Sequence, residues 1–248
     1  MRNVIRADLS RIIRKKSLYF VLLLTVAYSV GVTVYAKHIN WNSFHFMYQQ
    51  LGVISTASFL FGLVIFWSVY ADEFKAMSMI CAIGRGISRS KVILAKFLNA
   101  MILAAASHAA ILLVVFATGL AAGAQMDAEE GRILLLTVFN ALYKLAGCLT
   151  FASLVIYLTS NIPFGIFSFL FFDGIMPSAT LLLDLIPAFK KLHINRYLYD
   201  SLAGKAYTDF LIGLPAEGTA LFLLGFLLYV GICVTVIVVF FERKELEF

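Results

Sequence analysis

The chain has 248 residues, 62% of them hydrophobic and 14% charged, with a mean hydropathy of +0.92 and a formal net charge of +6. Roughly 45–50% apolar residues is usual for a soluble domain, so an ordinary soluble fold is excluded. About six spans of ~20 residues, with their connections, consume the length and leave none for a soluble catalytic domain. Residues 1–248 therefore read as one all-α polytopic membrane domain. The Lys and Arg residues stand beside apolar runs and not on one soluble face, so orientation and anionic lipid account for the positive balance and nucleic acid is set aside as a partner.

In chain order, the first segment carries Arg2, Arg6, Arg11, Arg14, Lys15 and Lys16, with Ile5, Leu9, Ile12 and Ile13 on one helical face. The pattern predicts an amphipathic helix over residues 1–17 lying in the membrane interface; a plain basic flank is the simpler alternative. The run Leu18–Ala36 ends in Val34-Tyr35-Ala36, which resembles a cleavage site, but it exceeds the about 7–15 residues of a signal h-region and reads as a retained first span. Lys37–Gln50, with His38, Trp41, His45 and Tyr48, suits the outer interface. Two histidines without further ligands do not make a metal site. The second span is Leu51–Ala71.

Asp72–Lys96 is the longest charged interval between two spans, and Lys75, Arg85, Arg89, Lys91 and Lys96 give it the basic excess of a cytosolic loop. Phe74, Met77 and Cys81 share one face of a short helix that Gly84 and Gly86 end. The third span, Val92–Gly123, closes on Gly119-x-x-x-Gly123, a spacing that lets helices approach closely. An acidic turn over Gln125–Gly131 leads to the fourth span, Arg132–Ser160. Asn161-Ile162-Pro163 breaks the helix, and the fifth span begins at Phe164.

Beyond Pro177 the apolar pattern is interrupted by Asp184, Pro187, Lys190, Lys191, His193 and Arg196. Residues 178–218 read as an outer, re-entrant segment with one or two short helices dipping into the bundle, where protein shields irregular backbone. The sixth span is Thr219–Phe241. With both termini inside, thirteen of the twenty Lys and Arg are cytosolic and six lie outside, as positive-inside orientation requires.

The remaining cation, Lys144, lies within the fourth span, with Asn140 one turn away; Asp173 in the fifth span and His108 in the third are the other polar groups at depth. A charge at the bilayer centre costs at least about 2.5–3.5 kcal/mol, so Lys144 is expected to pair with Asp173, His108 being the competing partner. The alternative is that Lys144 lines a transport route. Cys81, Cys148 and Cys233 form no disulfide framework or zinc spacing. No G-x-x-x-x-G-K-[ST], H-E-x-x-H or G-x-S-x-G occurs, so no catalytic residue is assigned.

The order of Glu73, a short helix, Gly86, Ser88-Arg89-x-Lys91 and Lys96 resembles the first cytosolic loop of the type-2 ABC exporter permeases. Where members often carry a Gly-Thr pair, this chain has Lys75-Ala76-Met77-Ser78. The resemblance implies six spans, an interfacial helix before the first, and a re-entrant segment between the fifth and sixth. It also implies a coupling loop over residues 72–91 whose Glu73, Phe74, Met77 and Arg89 face a separate ATP-binding subunit. ATP and Mg would belong to that partner, with no cofactor on this chain, and a second permease chain, identical or related, would complete the pathway. The family's place is the cell membrane, multi-pass with cytoplasmic termini, and its small permeases export amphipathic or hydrophobic substrates such as peptides, antibiotics or lipid-linked molecules. Two readings compete: an ion-coupled secondary transporter or channel using Lys144, Asp173 and His108, and an intramembrane enzyme.

Overall fold

The computed structural model describes residues 2–38, 43–76, 78–124, 127–175 and 198–243, and these form helices joined by short turns, with no strand among them. The helices are α1 (Arg2–Ile13), α2 (Lys16–His38), α3 (Ser43–Phe66), α4 (Asp72–Ala76), α5 (Ser78–Gly84), α6 (Arg89–Ala122), α7 (Ala128–Thr159), α8 (Ile162–Leu170), α9 (Tyr199–Leu211), α10 (Pro215–Gly225) and α11 (Ile232–Arg243). Single π-helical turns join α3 to α4 (Trp67–Ala71), follow α8 (Phe171–Ile175) and join α10 to α11 (Phe226–Gly231).

Five stretches are long and apolar enough to cross a membrane: Lys16–His38, Tyr48–Phe74, Arg89–Ala122, Ala128–Thr159 and Ala216–Arg243. They stand where the first four spans and the last are expected. Where the fifth span is expected, the described residues hold the shorter apolar stretch Ile162–Gly174, and residues 176–197 lie outside them, including 178–197 of the expected re-entrant segment. Trp41 also lies outside them.

Local chemistry sets the helix ends. Gly86 and Gly123 adopt φ of +86° and +75°, and each closes a helix by the paired bonds of a Schellman turn: Ile87 N–H to Ala82 O with Gly86 N–H to Ile83 O, and Ala124 N–H to Gly119 O with Gly123 N–H to Leu120 O. The ending expected at Gly86 is thus observed. Gly123, expected to mediate close helix approach with Gly119, is instead a cap: a Cβ there would meet nothing within 4 Å. At the start of α8, Asn161 Oδ1 accepts from Phe164 N–H at 3.4 Å, and Pro163 lies in the first turn where its missing donor costs nothing.

Helix α6 packs against α1, α2, α3, α7 and α11. Its buried stripe includes Ala95, Ala100, Ala104, Ser107 and Gly119, small residues that let helix backbones approach where apolar lipid gives helices no hydrophobic reason to associate. A polar seam adds directionality: Ser29 Oγ donates to Gln50 Oε1 at 3.0 Å, Gln50 Nε2 donates to Thr33 Oγ1 at 3.1 Å, and Ser29 and Thr118 share a 2.8 Å bond.

Tyr157 sits among Tyr70, Phe74 and Phe241, ring centroids 6.2, 5.3 and 5.4 Å away, all edge-on. These contacts tie α7 to the π turn after α3, to α4 and to α11 near one end of the bundle. That end also holds α1 and the end of α11, for Ile12 of α1 is 1% exposed and Arg89 at the start of α6 reaches the end of α11. The described ends of the chain and the segment 72–88 therefore share one end of the bundle, called here the termini end.

Helix α9 runs antiparallel along the N-terminal half of α7. Its contacts pair Asp200 with Lys144, Tyr207 with Thr137, and the Phe210 and Leu211 carbonyls with Arg132.

Candidate functional site

Two clusters of polar side chains are built into the bundle. The first occupies the termini end. Glu73 is the second residue of α4, and its carboxylate lies between Arg11 of α1 and Lys96 of α6, the latter at 3.0 Å. Lys96 also pairs with Asp8, and Asn99 donates to the same Asp8 oxygen at 3.4 Å. Lys15 pairs with Asp72. Three cations and three carboxylates thus balance across α1, α4 and α6 and their margins. The side chains of Glu73 and Lys96 are only 4% and 5% exposed, so the cost of taking their charges from water is offset by these pairs.

Of the expected coupling residues that are described, Glu73 alone is buried. Glu73, expected to face a separate subunit, points into the protein. Phe74 is half-buried against Tyr157, and Met77 lies outside the described residues. Arg89 is partly exposed and donates to the Phe241 and Glu242 carbonyls at 3.1 and 3.2 Å, where the last carbonyls of α11 have no helical partners. Asp8 belongs to no motif, and its signal in the sequence is that it is the one acidic residue before Asp72 and stands three residues from Arg11.

The second cluster lies midway along α7. Lys144 stands about 24 Å from Ala128 and about 22 Å from Thr159 at 1.5 Å per residue. Its ammonium is 2.6 Å from Asp200. Asp200 occupies the first turn of α9, where the helix dipole favours a carboxylate. The expected partner, Asp173, is not the one that Lys144 takes. Asp173 lies in the π turn after α8, with Cys148 Sγ 4.0 Å from its carboxylate. α9 brings Asp200 down the groove beside α7, and this approach is not readable from helical spacing.

Lys144 lines two cavities. One, of about 60 Å³, is walled by Cys148, Phe151, Phe172, Tyr199, Asp200 and Tyr229, with Leu198 at its edge. The other, of about 160 Å³, is bounded by Leu51, Ile54, Ser55, Ser58, Thr137, Asn140, Ala141 and Asp173. Asn140, predicted beside Lys144, lines this second cavity, and its Oδ1 is buried without a hydrogen-bond partner. His108 does not reach Lys144. It is 1% exposed, within 2.9 Å of Ala104 O through Nδ1 and 3.1 Å from Ser58 Oγ through Nε2, so it backs the cavity wall through Ser58. Among the described residues no group of three His, Cys, Asp or Glu is placed to hold a metal ion.

Among the described residues the structure is all-helical, with five helices long and apolar enough to cross a membrane, the Glu73–Lys96 pair enclosed between helices and the Lys144–Asp200 pair partly exposed. No family model matches the chain, and no curated protein matches it.

Proposed function

We propose that this chain is the membrane-spanning permease subunit of an ATP-driven transporter of the type-2 ABC exporter kind. The observation that carries the reading is the ion network at the termini end, which joins α1, α4 and α6 into one block. A force applied to the short helices between the second and third spans would move α1 and α6 with them, because separating any of the three leaves a buried charge unpaired. The exposed turn Gly84-Arg85-Gly86, and not Glu73, then offers the surface for an ATP-binding subunit, while Glu73 holds the platform from within.

In this reading α1 is the interfacial helix, and Ile162–Gly174 opens a fifth span, giving six. α9 is a re-entrant helix reaching Lys144 from the outer side. The protein is a multi-pass component of the cell membrane with cytoplasmic termini, ATP and Mg reside on the partner, and two permease chains, identical or related, enclose the pathway. The cargo is amphipathic or hydrophobic: a peptide, antibiotic or lipid-linked molecule.

The test is purification of the tagged chain from native membranes in mild detergent. An ATP-binding subunit should co-purify in equal number, with vanadate-sensitive ATP hydrolysis. Transport in liposomes by the chain without any ATPase would overturn the proposal. The Lys144–Asp200 pair with Asp173 nearby favours a second reading, an ion-coupled transporter or channel. Flux that follows an ion gradient and ignores ATP would select it.

A further inference from the structure

The larger cavity beside Lys144 has a composition and a charge balance that select a ligand. Its polar lining consists of Ser55 and Ser58 from α3, Thr137, Asn140 and Lys144 from α7, and Asp173 from the π turn after α8. Lys144 is already neutralised by Asp200 at 2.6 Å. Asp173, by contrast, makes no ion pair among the described residues: Cys148 Sγ, weakly polar, stands 4.0 Å from it, and Lys144, which lines the same cavity, acts on it only through its field while being paired with Asp200. The three charged groups therefore carry one positive charge against two negative ones. An anion entering here would face Asp173 and would have to displace Asp200, whereas a cation restores balance.

Hydrogen-bonding capacity points the same way. Asn140 Oδ1 is a buried acceptor with no donor, an arrangement that a ligand donor relieves. Ser58 already engages His108 Nε2, and Thr137 engages Tyr207, so their oxygens are held in place with acceptor capacity remaining. A primary ammonium brings three donors, matching the carboxylate, the amide oxygen and a hydroxyl. The volume, about 160 Å³, has room for several waters and so for a small head group. Ser55, in the lining, is exposed, so the cavity reaches the protein surface and the rest of a ligand can lie outside it.

We infer that this cavity is a subsite for the primary ammonium head group of a membrane-borne molecule, paired with Asp173 and accepted by Asn140. The inference rests on reading the chain as a permease for amphipathic cargo, and it names the cargo's recognised end.

The test uses the full chain in nanodiscs with no ATPase present and n-butylammonium as probe, measured by titration calorimetry beside n-butanol, butyrate and Na⁺. Saturable binding is expected for n-butylammonium and not for butanol or butyrate. Asp173→Asn and Asn140→Leu should each weaken it at least tenfold, whereas Lys144→Met, which leaves both carboxylates, should bind at least as tightly as the parent. Butyrate binding that disappears in Lys144→Met would overturn the inference in favour of an anion site. Na⁺ binding that excludes n-butylammonium would overturn it in favour of an ion site, as would unchanged affinity in a folded Asp173→Asn. If that variant fails to fold, Asn140→Leu and the parent's preference for cation over anion decide the matter. No ATPase enters the assay, so its failure leaves the permease reading standing, and failure to co-purify an ATPase leaves this site standing.

Discussion

Tyr199 lies flat on Tyr143, with ring centroids 4.5 Å apart and planes 3° from parallel, and its hydroxyl donates to the Tyr143 carbonyl at 2.6 Å. That stack fixes the start of α9 against the middle of α7 and so delivers the next residue, Asp200, to Lys144. It is possible because Gly147 presents no side chain: a Cβ there would stand 2.2 Å from the Tyr199 ring. The geometry makes the depth of α9 testable.

Gly147→Val should push Tyr199 away and loosen α9, at a cost of about 1–3 kcal/mol from overpacking. Cys148, buried beside it, becomes the reporter. In a background lacking Cys81 and Cys233, maleimide labelling of Cys148 should rise at least several-fold over the parent. A protected Cys148 together with unchanged thermal unfolding would show that Tyr199 does not rest on Gly147.

Removing one member of the buried network should cost more than removing an exposed charge. Lys96→Met leaves Glu73 and Asp8 with too little positive charge and is expected to destabilise the chain by about 3–5 kcal/mol. The double variant Lys96→Met, Glu73→Gln should lose clearly less than the two single losses added, measured by thermal or denaturant unfolding in detergent. Additive losses would mean that the two side chains do not share one network.

Lys144 and Asp200 are 38% and 34% exposed, so their pairing is partly solvated and worth about 1 kcal/mol. A double-mutant cycle of Lys144→Met with Asp200→Asn should show coupling of that size. The cycle with Asp173→Asn should give less. The reverse order would return Lys144 to Asp173, the partner expected from sequence.

Arg89 donates to two carbonyls at the end of α11. Its truncation to Ala should fray that end at a cost of about 1 kcal/mol, the worth of a cation near helix-terminal carbonyls. Hydrogen exchange at residues 238–243 should quicken while exchange around Lys144 stays unchanged. Unaltered exchange at the α11 end would indicate that the contact contributes nothing to its order.

Along this chain, apolar runs bounded by charges and by Pro163 determined which stretches form long helices, because length and hydropathy are properties of contiguous residues. The positions of the long helices around Leu18–Ala36, Leu51–Ala71, Val92–Gly123, Arg132–Ser160 and Thr219–Phe241 were legible for that reason, as was the turn at Gly86. Lys144 and Asn140 were legible as polar groups at depth beside one cavity, since both lie on one helix face. Only the tertiary structure decided who meets whom. Glu73 turns inward because α1 brings Arg11 over it, and Arg11 is 62 residues away in the chain. Lys144 takes Asp200 and not Asp173 because α9 folds back along α7 with Tyr199 seated on Gly147. Gly119 and Gly123 share a spacing but not a role, since one is buried in a helix interface and the other has the left-handed conformation that ends the helix. Spacing along one helix places residues on a face; the partner of a buried charge comes from whichever helix packs there, and local sequence does not encode that choice.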